Sequence, residues 1–166
     1  LGDEYRDRYG LEYEHLMAIA KLNYANAKRN PNAQSRKWQF TDRSFSLDDE
    51  ANPAVDGSIR RQDCGQVSDG GAAVVLASRS FAQTYARKRG GSVDELPRIL
   101  GWGHRTASLL YEDKIKRSKG ATYVFPHLRE AIQDAYRRAD ISGPEALDGI
   151  EMHDCFTTTE YMAIDH

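Results

Sequence analysis

The chain has 166 residues, of which 40% are hydrophobic and 29% charged, so it suits one folded domain and is too apolar for a disordered tail. Its 23 basic and 25 acidic residues are mixed along the sequence, which argues against binding to nucleic acid or to an anionic membrane. No apolar run approaches the roughly 18–20 residues of a membrane span, and Cys64 and Cys155 lack the spacing of a disulfide framework or a metal site.

Both ends of the sequence predict an internal piece of a longer protein. It starts at Leu1 without an initiator Met or a signal-peptide pattern. Near the other end, Thr157 and Glu160 have the spacing of a capping box that opens a helix, yet the chain stops six residues after Glu160.

The first predicted element is an amphipathic helix over residues 12–29. Apolar side chains recur there at helical spacing, and Asn30 followed by Pro31 predicts its end. Residues 31–63 show no periodicity, so we predict a long loop. Loops of this length without regular structure are uncommon and are often functional.

Residues 71–77 form a continuous apolar run bounded by polar residues, which predicts a strand covered on both faces. A helical stretch over residues 80–88 follows and should end at Gly90 and Gly91. Residues 98–103 predict a second strand. The pattern of residues 104–122 is ambiguous, and we assign no element there.

The clearest helix covers residues 126–140, where Pro126 suits the first helical position and the apolar stripe is regular. After a break at residues 142–144, residues 149–152 predict a third strand that leads into a helix starting near Thr157. Strands that alternate with helices predict an α/β layered fold.

The turn between this last strand and helix is the best candidate for a catalytic site, because ligands of α/β proteins bind at the carboxyl ends of strands. Cys155 lies just before the helix, where the helix dipole and free N–H groups favour a thiolate, and His153 supplies a hydrogen-bond donor. From the residues alone, a second interpretation stays open and is the commoner one: Cys155 is a buried packing residue beside a histidine on the surface.

The tetrapeptide from His153 to Phe156, HDCF, resembles a short element of thiolases of the sterol-carrier-protein-X type. Two further segments resemble the same family in the same order. Residues 66–78 look like its SDGAAA-type strand, and residues 9–34 look like the helix and the NPxAQ segment of its loop domain. The resemblance covers nearly the whole chain.

The resemblance implies an α/β thiolase-like layered fold of two similar halves of mixed sheet with helices, plus an inserted loop domain that covers coenzyme A. Only part of that fold is expected in this chain. Residues 1–61 are expected in the loop domain, residues 62–91 at the end of the N-terminal half, and residues 92–166 at the start of the C-terminal half.

The resemblance also implies a reaction. Thiolases form an acyl-enzyme on a cysteine and join the acyl group to an acyl-coenzyme A enolate, or they cleave a 3-oxoacyl thioester in reverse. His153 is expected in the oxyanion hole that stabilises the enolate, and Cys155 is expected to move the α-proton. The family's nucleophilic cysteine and its GHP histidine match no motif in this sequence.

Four more residues are assigned to substrate binding. Phe156 is expected to line the acyl pocket, although core packing explains it equally well. Cys64, Gly65 and Ser68 are expected near the pantetheine arm of the coenzyme, with simple packing as the alternative. The loop also offers four basic residues that could meet coenzyme phosphates or be merely solvated: Arg36, Lys37, Arg60 and Arg61.

Two other functions stay open at this point. One is a thiolase-like retro-aldolase that acts on steroid side-chain coenzyme A thioesters with a small partner protein. The other is a non-catalytic lipid-binding or scaffolding protein with a thiolase fold. We expect the coenzyme A thioester as a substrate, no permanently bound cofactor, no metal, a homodimer, and a cytoplasmic location.

Overall fold

The computed structural model describes residues 1–166 and is rich in helix, with one small antiparallel sheet. The helices are α1 (Gly2–Tyr9), α2 (Tyr13–Arg29), α3 (Arg79–Lys88), α4 (Tyr111–Ser118), α5 (Pro126–Ala139) and α6 (Thr157–Asp165). The sheet pairs β1 (Ala54–Asp56) with β2 (Ile59–Arg60). None of the helices has both the length and the apolar character needed to cross a membrane.

Three predicted helices are confirmed to within one residue at each end. Helix α2 ends at Asn30, whose extended backbone is what a residue before proline adopts. Helix α3 closes with Gly90 at φ +74°, and the N–H of Gly91 reaches back to the carbonyl of Ala86. This is the Schellman arrangement, which needs a residue that tolerates positive φ. Helix α5 starts at Pro126 as expected.

Helix α6 starts at Thr157, as predicted, but the expected capping box is wrong. The residue that caps the helix is Phe156, and no side chain bonds to the first free N–H groups. Thr157 is already inside the helix, so Glu160 lies one position too late for the box and its carboxylate bonds elsewhere.

Helices α1 and α4 were not predicted. Both have eight residues and carry acidic residues in the first turn and basic residues in the last, which complements the helix dipole. In α1 the pair Glu4 and Arg8 adds a salt bridge of 2.6 Å at the i, i+4 spacing. Each of these helices is short and has few apolar residues, and this is why the sequence pattern left them unassigned.

The three predicted strands at residues 71–77, 98–103 and 149–152 are wrong for this structure, since none of them pairs in a ladder. A strand needs a neighbour to satisfy its N–H and C=O groups, and no other segment lies beside residues 71–77. Their side chains face solvent, with Val74 and Val75 exposed to 84% and 91%.

Residues 98–103 instead lie along helix α5. A Cβ atom at Gly101 would collide with the backbone of Ala135, and one at Gly103 with the backbone of Ala131. The two glycines therefore permit a close approach to the helix. Arg138 donates to the carbonyl of Trp102 at 2.5 Å and stacks over its ring at 4.8 Å. The face of α5 that carries Ala131 and Ala135 is therefore covered by residues 98–103.

The predicted loop at residues 31–63 is irregular only in part, because it contains β1 and β2, and it is ordered by buried polar and aromatic contacts. Asn52 is fully buried; its amide nitrogen donates to the Tyr13 hydroxyl at 2.8 Å, and its amide oxygen accepts from the Gln62 N–H at 3.0 Å. Rings of the loop pack on helix α2, with 4.4 Å between the centres of Tyr24 and Phe40. These contacts hold the end of the loop in place beside α2.

The hydrophobic core is small and lies where α1, α4, α6 and the segment before α5 meet. It is built from Tyr5, Val124 and Met162, with partly buried neighbours around them. Met162 anchors α6 in this core, so the N-terminal end of α6 has a defined position.

The observed fold is thus helix-rich with a two-stranded sheet. It is compatible with a part of an α/β fold, but the layered arrangement is not present among residues 1–166. The predicted domain limits at residues 61 and 91 stay predictions.

Candidate active site

The HDCF turn lies directly before helix α6. The carbonyl of Phe156 accepts the N–H of Thr159 at 2.7 Å and the N–H of Glu160 at 3.3 Å, which closes the first turn of the helix. Cys155 precedes that turn and is half-buried, and its sulfur lies 3.9 Å from the Thr159 hydroxyl. The thiol therefore lies beside the first turn of α6, directly before the helix, where the sequence predicts it.

His153 is exposed and makes no side-chain hydrogen bond with the rest of the chain. The imidazole lies near the next residue, Asp154, and acts to lower the pKa of that carboxyl. The imidazole is consequently free to donate to a ligand.

A second segment of the chain lies against this turn. Cys64 and Phe156 form an isolated antiparallel bridge, and the N–H of Gly65 donates to the carbonyl of Cys155 at 2.8 Å. A Cβ at Gly65 would lie 3.1 Å from the carbonyl oxygen of Asp154 and 3.2 Å from that of Cys155. Glycine is what allows these two backbones to approach so closely.

Cys64 has a different environment from Cys155. Its thiol donates to the carbonyl of Arg60 at 3.4 Å, and burial, assisted by the neighbouring Asp63, raises the pKa of the Cys64 thiol. A neutral, hydrogen-bonded thiol is a poor nucleophile, which agrees with its assignment to binding or packing. Neither Cys64 nor Cys155 forms a disulfide.

A cleft of about 220 Å³ opens between helix α2, the first part of the loop and the HDCF turn. Cys64, Gly65 and Asp154 contribute to its wall, so two of the four predicted substrate-binding residues lie there. Much of the rest is polar, with Asn23, Gln34, Ser35, Gln62 and Gln66 among its lining residues. The cleft thus offers a ligand both hydrogen-bonding groups and the apolar surfaces of Ala20, Tyr24 and Trp38.

Asn23 on α2 is a site residue that the sequence analysis missed. Its amide nitrogen donates to Asp154 at 2.8 Å and to Glu160 at 2.6 Å, so a single side chain joins the HDCF turn to the first turn of α6. Its role depends on the packing of α2 against α6, and no local sequence signal marks it.

The two carboxyl groups bonded to Asn23 are difficult to ionise. Burial raises the pKa of Asp154, and the hydrogen bond from Asn23 and the nearby His153 oppose this only in part. Burial also raises the pKa of Glu160, and the charge of Asp154 adds to the effect. Neither carboxyl has a lysine or arginine partner.

Three of the four basic loop residues are free for a ligand. Arg36 and Lys37 are exposed beside the cleft wall at Ser35, and Arg61 is exposed next to Gln62. Arg60 is engaged, since it bonds to Asp49 and to the carbonyl of Asn52, each at 2.7 Å.

The remaining predicted residues lie outside the cleft. Phe156 is 42% exposed and packs in no core cluster. Ser68 lies in the exposed segment that leads to residues 71–77 and contacts neither the HDCF turn nor the cleft. Their roles in substrate binding stay predictions.

Comparison with known proteins finds relatives that match nearly the whole chain. Sterol carrier protein 2 of Homo sapiens is 31% identical over 167 residues, which cover 99% of this chain and 28% of that protein. Acetyl-CoA acetyltransferase of Methanothermobacter thermautotrophicus is 25% identical over 95% of this chain and 36% of that protein. The resemblance to thiolase-like proteins is confirmed.

A third relative is non-specific lipid-transfer protein-like 2 of Caenorhabditis elegans, which is 28% identical over 98% of this chain and 36% of that protein. The chain therefore spans between 28% and 36% of the length of these curated relatives. No family model matches the chain, and no solved structure matches it.

Proposed function

We propose that this chain forms part of a coenzyme-A-dependent acyltransferase of the thiolase type, which makes or cleaves 3-oxoacyl-coenzyme A through an acyl-enzyme. In this proposal Cys155 moves the α-proton of the acyl-coenzyme A and His153 contributes to the oxyanion hole. Relatives named acetyl-CoA acetyltransferase support an acyltransferase.

The observation that carries the proposal is the position of the HDCF turn. Cys155 lies directly before α6, at the positive end of the helix dipole, and the exposed imidazole of His153 is two residues away. The bond from the Gly65 N–H to the Cys155 carbonyl holds the turn from one side.

The chemistry follows from these two side chains. The Cys155 thiolate takes a proton from the carbon next to the thioester; the C–H bond breaks, an S–H bond forms, and the electron pair moves onto the thioester oxygen. A hydrogen bond from His153 stabilises the resulting enolate, and a fixed donor of this kind typically contributes a few kcal/mol. The enolate carbon then attacks the acyl group on the nucleophilic cysteine and displaces that cysteine's thiolate.

The nucleophile itself has no matching motif in residues 1–166, and neither does the GHP histidine. In the proposed enzyme they belong to other parts of a longer protein. The coenzyme is expected in the polar cleft, with its phosphates near the free side chains of Arg36, Lys37 and Arg61. A homodimer and a small partner protein also stay predictions.

The test is α-proton exchange in the complete protein. Cys155→Ala should abolish deuterium exchange into acyl-coenzyme A, while acyl transfer to the nucleophilic cysteine should survive in part because it uses different groups. Cys155→Ser should be nearly as damaging, since a hydroxyl is a far weaker acid than a thiol. Exchange at the wild-type rate in Cys155→Ala would show that Cys155 is not the base.

The non-catalytic lipid-binding alternative draws on the relative named as a lipid-transfer protein. The lining of the cleft beside the turn combines polar side chains such as Asn23 and Gln62 with apolar ones such as Ala20 and Trp38, so it does not single out a lipid site. The retro-aldolase alternative has no structural observation in its favour.

A further inference from the structure

We infer that Asn23 is a positioning residue, which holds the His153–Cys155 turn against helix α2 through its bonds to Asp154 and Glu160. The inference rests on the proposed function, because it assigns Asn23 to the proton-transfer step of that reaction. Asn23 touches neither of the two reacting side chains and acts through the residues around them.

The geometry uses the donor capacity of Asn23 completely. An amide nitrogen carries two hydrogens, and here one neighbour is Asp154 at 2.8 Å and the other is Glu160 at 2.6 Å. Both neighbours are carboxyl groups, so the orientation of the amide is determined by its partners. Asp154 lies between the two proposed catalytic residues, and Glu160 lies in the first turn of α6.

The turn is thereby held from two sides. Gly65 bonds to the Cys155 carbonyl, and Asn23 bonds to the side chain of the preceding residue, Asp154. A hydrogen bond to a charged group contributes about 1.5–3 kcal/mol, so the loss of Asn23 should free one side of the turn. A displacement of the thiol by about 1 Å can lower the rate of a positioned reaction by about a hundredfold.

The negative charge of the Asp154 and Glu160 carboxylates makes the Asn23 donor necessary. The other oxygen of Asp154 is buried without a partner, and no cation pairs with either carboxylate. His153 is the charged neighbour of Asp154, and Tyr24, Asp63 and Cys64 line the same cleft as Asp154. Arg61 lies near Tyr24. Without Asn23, two ionised carboxylates would face each other with no donor between them.

This arrangement predicts a definite pH dependence. Both carboxyls have raised pKa values, so they hold protons more tightly in the folded protein than in the unfolded chain. The contribution of these two carboxyls to the stability of the folded protein is therefore greatest below the ordinary carboxyl range and is lost as the pH rises through the raised values. The Asn23 donor opposes that loss because it favours the ionised forms.

The test is Asn23→Asp in the complete protein, because aspartate keeps the shape of asparagine and removes both donor hydrogens. Asn26→Asp is the matched control, since Asn26 lies on the same helix, is exposed and makes no side-chain hydrogen bond. Hydrogen exchange of residues 153–160 should rise by about tenfold or more in Asn23→Asp. The rise should be larger at pH 8 than at pH 5, and Glu160→Gln in the same chain should reduce the difference.

Activity supplies the second measurement. Asn23→Asp should lower kcat and α-proton exchange by about tenfold to a hundredfold, whereas Asn26→Asp should leave them unchanged. Equal hydrogen exchange in the two variants would overturn the inference, and so would a loosened turn with wild-type kcat. An inactive wild-type protein would instead overturn the proposed function, and with it the positioning role, even if hydrogen exchange confirms that Asn23 holds the turn.

Discussion

Individual residues of the HDCF turn differ in how firmly the chain holds them. Cys155 is half-buried and its carbonyl is bonded to Gly65, whereas the ring of His153 has no partner. A hydrogen-bond donor without a structural partner is well suited to a ligand, because binding then requires no internal bond to be broken. The turn thus combines a constrained thiol with a free hydrogen-bond donor.

Substitution of His153 should consequently affect turnover and leave folding intact. His153→Ala is expected to lower kcat of the complete protein by about 10²–10³, the usual effect of removing one oxyanion donor. His104→Ala is the matched control, because His104 is also exposed and its side chain makes no hydrogen bond. Steady-state kinetics and a melting curve of each variant check this, and equal kcat values for the two would contradict a catalytic role for His153.

Sequence reasoning found the turn but not the residue that joins it to α2. The HDCF motif is contiguous, so its spacing before a helix is visible in the sequence. Asn23 is 131 residues away from Asp154 along the chain, and only the packing of α2 on α6 brings the two together. A contact of this range leaves no local pattern, which is why it required the structure.

The same distinction between local and distant contacts applies to whole elements. Helices α2, α3 and α5 were predicted because their hydrogen bonds are internal and their ends carry proline or glycine signals. The apolar run at residues 71–77 has a strand-like sequence, but a strand is formed only with a partner, and none is present in the chain. An apolar pattern predicts that a segment is buried, but it does not show whether a partner strand is available to pair with it.

The contact between the loop end and the HDCF turn is an element-scale feature that depends on Gly65. Gly65→Ala should push the two backbones apart, since the new Cβ would lie 3.1 Å from the carbonyl oxygen of Asp154. We expect the contact to weaken by about 1–3 kcal/mol, the usual cost of overpacking. Gly70→Ala is the control, because nothing lies within 4 Å of a Cβ at Gly70.

Hydrogen exchange at the amide of residue 65 measures this effect directly, because that N–H donates to Cys155. Exchange there should be faster in Gly65→Ala than in Gly70→Ala. The same rate in both variants would mean that the turn accommodates the methyl group, and that the close approach has no structural role.

At the scale of the whole molecule, the chain buries little of its apolar surface. Only 17 of its 166 residues are buried, and the core cluster has three members. Long apolar side chains at residues 74–76 and 99–100 face solvent instead. Patches of this kind mark surfaces that normally meet other protein, so residues 1–166 alone should be weakly stable and prone to self-association.

Substitution of two valines distinguishes the effect of the exposed apolar segments from the effect of the small core in the isolated chain. Val75 is 91% exposed and Val124 is 1% exposed, so lysine at position 75 removes no packing, whereas lysine at position 124 places a charge in the core. We expect Val75→Lys to reduce self-association, measured by sedimentation, without loss of helix content. Val124→Lys should instead lower the helical circular dichroism signal.

The wild-type chain should unfold in urea without one sharp transition, because its core is too small for cooperative folding. A single cooperative transition from a monomer, or unchanged association of Val75→Lys, would contradict this account of the exposed segments.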